Sequence, residues 1–140
     1  GDTVHVHGPY REVMPDFQKP QVWIAGGVGI AAFAGFWACL REGAGASVDI
    51  WHFVRDASET ITAADLGLVP SKANSMRMHS VIEKSDELAG LQGLVSSLQD
   101  RAGTQFFVSG PPAFMRKVRR KIQRDGISRS QIHTEEFTPW

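Results

Sequence analysis

The sequence predicts an α/β domain built on a doubly wound, five-stranded parallel sheet with helices on both faces. Five short apolar segments of strand character alternate with helical or irregular segments along the 140 residues. Two of these strands run directly into a glycine- or proline-rich turn, at residues 26–29 and 109–112. A strand, a helix and a second strand also follow one another within about thirty residues, which is typical of a βαβ unit with a right-handed crossover.

The composition is that of one domain without net charge. Lysine plus arginine number 15, as do aspartate plus glutamate. This balance excludes the class of general nucleic-acid binders, because those proteins are strongly basic. Cys39 is the single cysteine, so an internal disulfide is excluded. We interpret it as a small buried hydrophobe in a protein of a reducing compartment.

The first twenty residues predict a lone strand followed by a connector. Residues 3–7 alternate branched and polar side chains, which is typical of a strand with His5 and His7 on one face. A His-x-His pair can bind a metal ion, but no third suitable ligand follows nearby, so we predict an exposed strand face and no metal site. Because this strand has no partner within the chain, we expect a β domain to precede residue 1.

The segment at residues 21–42 carries most of the functional interpretation. Residues 22–25 predict a buried strand, Gly26, Gly27 and Gly29 a sharp turn, and a helix opens near Ile30. The first turn of a helix has free backbone N–H groups and partial positive charge, and glycine lets an anion approach the backbone. The spacing also fits the loose dinucleotide pattern G-x-G-x-x-G/A. We therefore predict that this turn holds the diphosphate of a nucleotide.

Two other interpretations of this segment remain. Residues 22–40 carry no charge and approach the roughly 20 residues of a transmembrane helix. The glycines and the Lys19-Pro20 pair upstream favour two buried elements instead. The second interpretation is an ordinary strand–turn–helix of an α/β protein that binds no ligand.

The rest of the chain alternates strands with helices. We predict strands at residues 47–54, 76–81, 105–108 and 130–137, a short helix at 63–68, and a glycine-rich end of the first helix at 43–45. Apolar residues at helical spacing predict a further helix over residues 85–100; they are Leu88, Leu91, Leu94, Val95 and Leu98.

Residues 113–124 predict an amphipathic helix that ends at Gly126. Its buried stripe contains Phe114, Met115, Val118 and Ile122. The opposite face is basic and contains Arg116, Lys117, Arg119, Arg120, Lys121 and Arg124. One interpretation of this face is docking to an acidic partner or to lipid head groups. We favour a solvated face whose last turn complements the helix dipole.

The turn at residues 109–112 is a second sharp connection from a strand to a helix, with proline where the first turn of a helix tolerates it. Ligands of open parallel sheets bind outside the carboxyl ends of the strands. We therefore expect both turns to lie at the same edge of the sheet, on a shared ligand site.

Four segments, in order, resemble the nicotinamide-nucleotide-binding domain of the ferredoxin–NADP⁺ reductase family, in its bacterial ferric-reductase-like or oxygenase-reductase-like branch. Residues 1–10 (GDTVHVHGPY) resemble the closing strand of that family's flavin-binding barrel, and residues 25–30 (AGGVGI) its pyrophosphate turn. Residues 109–115 (SGPPAFM) resemble the turn beneath the nicotinamide, and residues 132–137 (IHTEEF) the closing strand. The resemblance covers essentially the whole chain.

The resemblance implies a strand order of 3-2-1-4-5. It assigns residues 1–20 to the closing strand and linker of a missing FAD-binding barrel, and residues 21–140 to the NAD(P)-binding domain. It further implies that the chain is a fragment of an NAD(P)H:flavin oxidoreductase, a class of enzyme that includes ferric reductases. Hydride would pass from NAD(P)H to FAD held mainly by the preceding domain, and electrons would go on to iron or a redox protein. We expect a cytoplasmic location or the cytoplasmic face of a membrane.

The resemblance also assigns site residues. Facing the diphosphate would be Gly26, Gly27, Val28, Gly29 and Ile30. The turn beneath the nicotinamide would comprise Ser109, Gly110, Pro111, Pro112 and Met115, with Ser109 next to the reacting ring. Glu135 would be a polar contact near the point of hydride transfer, and Phe137 would flank the flavin.

Three departures from the family pattern bear on activity. Serine stands at position 109, where many members have cysteine, and Ala31-Ala32 replace a hydroxyl residue and proline. Arg11 stands where a glycine usually follows Gly-Pro-Tyr. Ala31-Ala32 and Arg11 leave a nucleotide-sensing module without turnover as an alternative function. Half of a Rossmann dehydrogenase is a further alternative, although its fingerprint fits only loosely.

The choice between NADH and NADPH depends on Arg55 and Asp56. The guanidinium of Arg55 suits a 2′-phosphate, whereas Asp56 would repel it and could accept hydrogen bonds from the ribose hydroxyls. We favour NADH slightly and leave both coenzymes open.

Overall fold

The computed structural model describes residues 19–38, 47–68, 75–83, 88, 91 and 93–136. Its strands are β1 (Gln21–Gly26), β2 (Ser47–Val54), β3 (Ser75–Ile82), β4 (Gln105–Gly110) and β5 (Ile132–Glu136). Its α-helices are α1 (Ala31–Ala38) and α2 (Pro112–Arg124). Short 3₁₀ turns lie at Gly27–Ile30, Ala57–Glu59, Ala64–Leu66, Val95–Ser97 and Arg129–Gln131.

The five strands form one parallel sheet in the order β3-β2-β1-β4-β5, which confirms the predicted fold class and strand order. Strand β1 is central: it pairs with β2 on one side and with β4 on the other, and all six of its residues are buried. Parallel strands with helices on both faces are buried in this way, so their sequences are apolar without alternation.

Side chains of β1 alternate between two hydrophobic cores, one on each face of the sheet. Val22 and Ile24 belong to the core that contains Met115, Val118 and Ile122 of α2. Trp23 and Ala25 belong to the opposite core, together with Phe33 and Trp37 of α1. The Trp23 and Phe33 ring centroids lie 5.2 Å apart. Full burial of each such large side chain contributes about 1.5–3 kcal/mol, so both helices are held firmly to the sheet.

The predicted helix over residues 85–100 is wrong for the part of this segment that the structure describes. The described residues there include a 3₁₀ turn at Val95–Ser97 and a 3₁₀ conformation at Leu91 in place of an α-helix. The backbone takes positive φ at Leu88 (52°) and at Gly93 (82°), and neither value is compatible with a right-handed helix. The periodic leucines are nevertheless buried, at Leu88, Leu91 and Leu94. The spacing of the leucines therefore correctly indicated side chains buried against the sheet. The conformation of the backbone was determined by tertiary packing and not by the helical pattern.

Other elements differ from the predictions at their ends. The last strand begins at Ile132 instead of residue 130, because a capping box between Ser128 and Gln131 closes a 3₁₀ turn first. The helix predicted at 63–68 is one 3₁₀ turn, Ala64–Leu66. Helix α2 begins at Pro112 and is followed by Gly126 at φ 102°, as expected. The strand predicted at residues 3–7, the helix end at 43–45, Cys39 and Phe137 lie outside the described residues.

Across the described residues, no helix combines the length and the hydropathy that a membrane span requires. The apolar segment that begins at Gln21 divides into a buried strand, a 3₁₀ turn and the helix Ala31–Ala38.

Candidate functional site

The two predicted turns are in direct contact. Strands β1 and β4 are parallel neighbours with Ala25 opposite Ser109, so their carboxyl ends coincide. A Cβ atom on Gly29 would lie 2.6 Å from the carbonyl oxygen of Ser109 and 2.8 Å from the Cα of Gly110. Because real Cβ atoms do not approach other atoms so closely, glycine is required where the first turn crosses the second. The prediction that both turns share one edge of the sheet is confirmed.

The outer side of the first turn is open. Gly27 has φ 53°, and no described atom lies within 4 Å of the position its Cβ would take. Val28 is 77% exposed, whereas Ile30, at the end of the 3₁₀ turn, is buried. Backbone N–H groups at the start of a helical segment lack intrahelical partners, and the turn that carries them here is exposed at Gly27 and Val28. These residues therefore fit an anionic group such as a diphosphate.

Phe114, on the first turn of α2, closes the inner side of the site. A Cβ atom on Gly26 would lie 2.7 Å from the Cδ1 atom of Phe114. The ring of Phe114 also contacts that of Phe53, with centroids 5.9 Å apart. The helical pattern of residues 113–124 predicts Phe114 only as part of a buried stripe. An aromatic residue at the third position after a Gly-Pro turn is the signal that could have suggested its place at the site.

A cavity of about 280 Å³ lies at this edge of the sheet. Its lining residues are Gly26, Gly27, Phe53, Val54, Arg55, Glu59, Glu83, Leu88, Pro111, Ala113, Phe114 and Lys117. Ligand pockets usually measure about 300–1,000 Å³, so this cavity can take part of a dinucleotide. It joins both turns to the carboxyl ends of β2 and β3.

The charged residues of the cavity are of both signs. Arg55 and Lys117 face it together with Glu59 and Glu83. The Oε2 atom of Glu59 accepts a hydrogen bond from the backbone N–H of Arg55 at 3.2 Å. Asp56 instead caps the turn Ala57–Glu59 and accepts from the N–H of Ser58. The acid that lines the cavity beside Arg55 is therefore Glu59, which the sequence analysis did not single out.

The structure brings several of the predicted site residues together. Gly26, Gly27, Arg55 and Pro111 line the cavity. Gly29 and Gly110 form the contact between the turns, and Pro112 begins α2 beside them.

Other predicted site residues lie elsewhere. Ile30 and Met115 are buried in the cores on opposite faces of the sheet. Ser109 is fully buried, and its Oγ atom has no hydrogen-bond partner among the described residues. Glu135 lies opposite Ser109 in the strand register, and Phe137 is outside the described residues. Cofactor contacts by these residues, and the catalytic roles of Ser109 and Glu135, stay predictions.

One polar contact of a buried side chain in the neighbouring strand β2 supports the glycine turn. His52 of β2 is 1% exposed, and its Nε2 atom lies 2.8 Å from the carbonyl oxygen of Gly27. His52 is not among the site residues predicted from the sequence. The signal that could have suggested it is a histidine among the apolar residues at the end of the strand beside the glycine turn.

A second histidine lies on β5, two residues before Glu135. The Nε2 atom of His133 is 3.1 Å from Oε1 of Gln105, and its ring stacks on Phe107 with centroids 4.8 Å apart. Burial lowers the pKa of His133 below its usual value, because the charged imidazolium loses hydration there. His133 therefore favours the neutral form in the folded domain.

No family model matches the chain, but curated proteins do. The glycine betaine monooxygenase reductase subunit of Chromohalobacter salexigens is 26% identical over 151 residues, which cover 98% of this chain and 41% of that protein. The anthranilate 1,2-dioxygenase electron transfer component of Acinetobacter baylyi is 23% identical over 145 residues, covering 98% and 42%. The chain thus spans about two fifths of these relatives, which are reductase or electron-transfer components of oxygenases.

Solved structures share the fold. A flavohemoglobin from Malassezia yamatoensis with bound FAD and heme gives a TM-score of 0.66 at 23% identity, covering 99% of this chain and 35% of that chain. The Amycolatopsis cytochrome P450 reductase GcoB gives 0.66 at 24%, covering 99% and 43%. The flavohem-like FAD/NAD binding domain of nitric oxide dioxygenase from Vibrio cholerae gives 0.54 at 23%, covering 99% and 56%. These neighbours confirm the predicted resemblance to ferredoxin reductase-like domains at the level of the fold. The flavohemoglobin is described with bound FAD and heme, and the Vibrio cholerae domain is named for FAD and NAD.

Proposed function

We propose that this chain is the nicotinamide-nucleotide-binding half of a flavin-dependent oxidoreductase. In this proposal it passes hydride from NAD(P)H to FAD, which is held mainly by a part of the polypeptide outside this chain. Electrons then go on to iron or to a redox protein, in the cytoplasm or at its membrane face. The observation that carries the proposal is the contact of Gly29 with Ser109 and Gly110. A phosphate-binding turn is common in α/β proteins, but a Gly-Pro turn pressed against it supports one continuous dinucleotide site.

The comparisons support the same assignment. Both curated relatives are named as reductase or electron-transfer components. The similar flavohemoglobin has bound FAD, and the similar domain from Vibrio cholerae is named for FAD and NAD. Because the chain spans only about two fifths of the curated relatives, the activity of the whole protein is part of the proposal.

The first turn would hold the diphosphate. Its open backbone at Gly27 and Val28 offers N–H groups to the anion, and the dipole of the following helix adds partial positive charge. Arg55 and Lys117 line the same cavity and supply full positive charges. Glu59 and Glu83 balance those charges, so the cavity suits a dinucleotide with polar ribose hydroxyls better than a bare polyphosphate.

The second turn would position the nicotinamide. When bound, NAD(P)H supplies the hydride and FAD accepts it, so the protein has mainly to fix their relative position. Gly110 and Pro111 form the shelf at the end of β4, and Phe114 closes the space next to Gly26 and excludes water there. In the proposal Ser109 and Glu135, which are paired in the register of β4 and β5, contribute polar groups near the reacting ring.

The full-length polypeptide that contains this chain provides the test. After reconstitution with FAD, anaerobic addition of NADH or NADPH should bleach the flavin absorbance, and ferricyanide should be reduced catalytically. Nucleotide binding without bleaching would support the nucleotide-sensing alternative. Nucleotide oxidation that does not depend on flavin would support a dehydrogenase. Failure to bind either coenzyme would contradict the proposal.

A further inference from the structure

We propose that His52 is a positioning residue that sets the orientation of the Gly27–Val28 peptide and so directs the N–H of Val28 toward the nucleotide diphosphate. The ligand in this inference rests on the proposed function. The hydrogen bond from His52 and its effect on the turn do not, and both can be tested without nucleotide.

Strand register brings His52 to the turn. His52 lies opposite Ala25 in the parallel pair of β1 and β2, and Gly27 follows two residues later. The imidazole is 1% exposed, and its Nε2 atom is 2.8 Å from the carbonyl oxygen of Gly27. A buried side chain of one strand therefore reaches an exposed turn at the end of its neighbour.

The chemistry of this contact fixes the tautomer of His52. A carbonyl oxygen can only accept, so Nε2 must carry the hydrogen. The Nδ1 atom is buried and has no hydrogen-bond partner among the described residues. A hydrogen on Nδ1 would be an unsatisfied buried donor, which is unfavourable. The tautomer with hydrogen on Nε2 is therefore the one that the geometry selects.

Because the peptide bond is planar, the direction of the Gly27 carbonyl also determines the direction of the Val28 N–H. The carbonyl of Gly27 and the N–H of Val28 belong to one trans peptide, in which they point in opposite directions. While His52 holds the carbonyl toward the buried side, the Val28 N–H must face outward. Val28 is 77% exposed, and the diphosphate is proposed to lie on the outer side of this turn.

At Gly27 this turn has few packing contacts, whereas Gly29 packs against Ser109 and Gly110. Gly27 is exposed, has φ 53°, and no described atom packs within 4 Å of its Cβ position. Glycine tolerates several backbone conformations on either side of φ 0°, so the peptide that follows it can rotate at little steric cost. A rotated peptide would present a carbonyl to the diphosphate in place of an N–H.

Three variants of the full-length polypeptide test this role. His52→Phe keeps an aromatic side chain, with a larger ring, and removes the donor, and His52→Gln keeps an N–H donor. Val48→Ala removes buried volume on the same strand and face but at its other end, so it controls for loss of stability alone. NADH and NADPH dissociation constants, the melting temperature, and the rate of flavin reduction at saturating nucleotide are measured for each.

We expect His52→Phe to weaken nucleotide binding about tenfold, as for loss of one oriented hydrogen bond to a charged group. His52→Gln should stay within about threefold of the wild type, because its amide still donates. Val48→Ala should lower the melting temperature without changing the dissociation constants. The rate at saturation should stay within about twofold in all variants, since the reacting ring is held by the other turn. Wild-type affinity in His52→Phe, or no rescue by His52→Gln, would overturn the inference.

Two nucleotide-free measurements separate this inference from the proposed function. Imidazole ¹⁵N chemical shifts should show hydrogen on Nε2 of His52, and the amide resonance of Val28 should shift in His52→Phe but not in Val48→Ala. If the wild type binds neither coenzyme, the proposed function fails, while these spectra still decide whether His52 orients the turn. Hydrogen on Nδ1, or an unshifted Val28 amide in His52→Phe, would overturn the inference whatever the coenzyme result.

Discussion

The carbonyl oxygen of Ser109 lies 2.6 Å from the place that a Cβ atom on Gly29 would occupy. The neighbouring atom is backbone, so it cannot turn aside as a flexible side chain could. This contact joins the two turns that end β1 and β4 and fixes the width of the site between them.

Replacement of Gly29 by alanine should therefore push the turns apart. We expect Gly29→Ala to lower the free energy of unfolding by about 1–3 kcal/mol, in the range of other overpacked positions, and to weaken nucleotide binding more than tenfold. Urea unfolding and coenzyme titration measure the two effects. Gly35→Ala is the matched control, because no described atom lies within 4 Å of its Cβ position and alanine favours a helix. An unchanged dissociation constant in Gly29→Ala would contradict the shared site.

Replacement of Gly27 tests the backbone conformation of the first turn without introducing a steric clash. Its φ of 53° is unfavourable for a residue with a Cβ, so Gly27→Ala should cost about 1–2 kcal/mol of stability and weaken nucleotide binding. Gly67→Ala has the same kind of backbone (φ 70°) and open space around its Cβ position. Gly67→Ala should lose a similar amount of stability but keep the wild-type affinity for nucleotide. Equal losses of affinity in both variants would show that the effect comes from general destabilisation.

Glu59 should bias the site against a 2′-phosphate. Its carboxylate accepts the N–H of Arg55 within the cavity, and Glu59→Gln would keep that acceptor while removing the negative charge. We expect affinity for NADPH to rise about threefold relative to NADH, as for loss of one repulsive charge near solvent. Titrations with both coenzymes at low salt measure the ratio. Asp125→Asn, at the far end of α2, should leave it unchanged, and an unchanged ratio in Glu59→Gln would exclude this role.

His133 should make stability depend on pH. Burial lowers its pKa in the folded state below the unfolded value, which is about 6.5. As the pH falls through that value, the unfolded chain binds a proton before the folded one, so stability present at higher pH is lost. The urea midpoint should drop between about pH 7.5 and pH 5.5. His133→Gln should show a smaller drop, whereas His79→Gln should retain the contribution of His133. An equal drop in His133→Gln would assign the effect to other groups.

Sequence patterns were sufficient for the sheet and the two turns. An apolar strand followed by Gly26, Gly27 and Gly29 has few structural solutions, and the Gly-Pro turn after Ser109 repeats the arrangement one strand away. Both signals are local, because turn chemistry depends on consecutive residues. The same holds for α2, which has a clear apolar stripe and a proline at its start.

The sequence predicted less well where distant residues meet. Leu88 takes φ 52° within a helix-like pattern, because its burial against the sheet overrides local preference. Glu59, Phe114 and His52 reach the site through the strand register and the packing of α2. No spacing of residues along the chain indicates those contacts. The place of these three residues in the site could therefore be seen only in the three-dimensional structure.

The central position of β1 has a consequence for how the site is lost. Its six buried residues pair with β2, and five of them, residues 21–25, also pair with β4, so the strand cannot fray from one side. Regions of this kind open only when the whole domain unfolds, while edge strands such as β3 open locally. The glycine turn follows directly on β1, so it should keep its shape while the edge strands of the sheet open. Coenzyme affinity should therefore be lost only when the whole domain unfolds cooperatively.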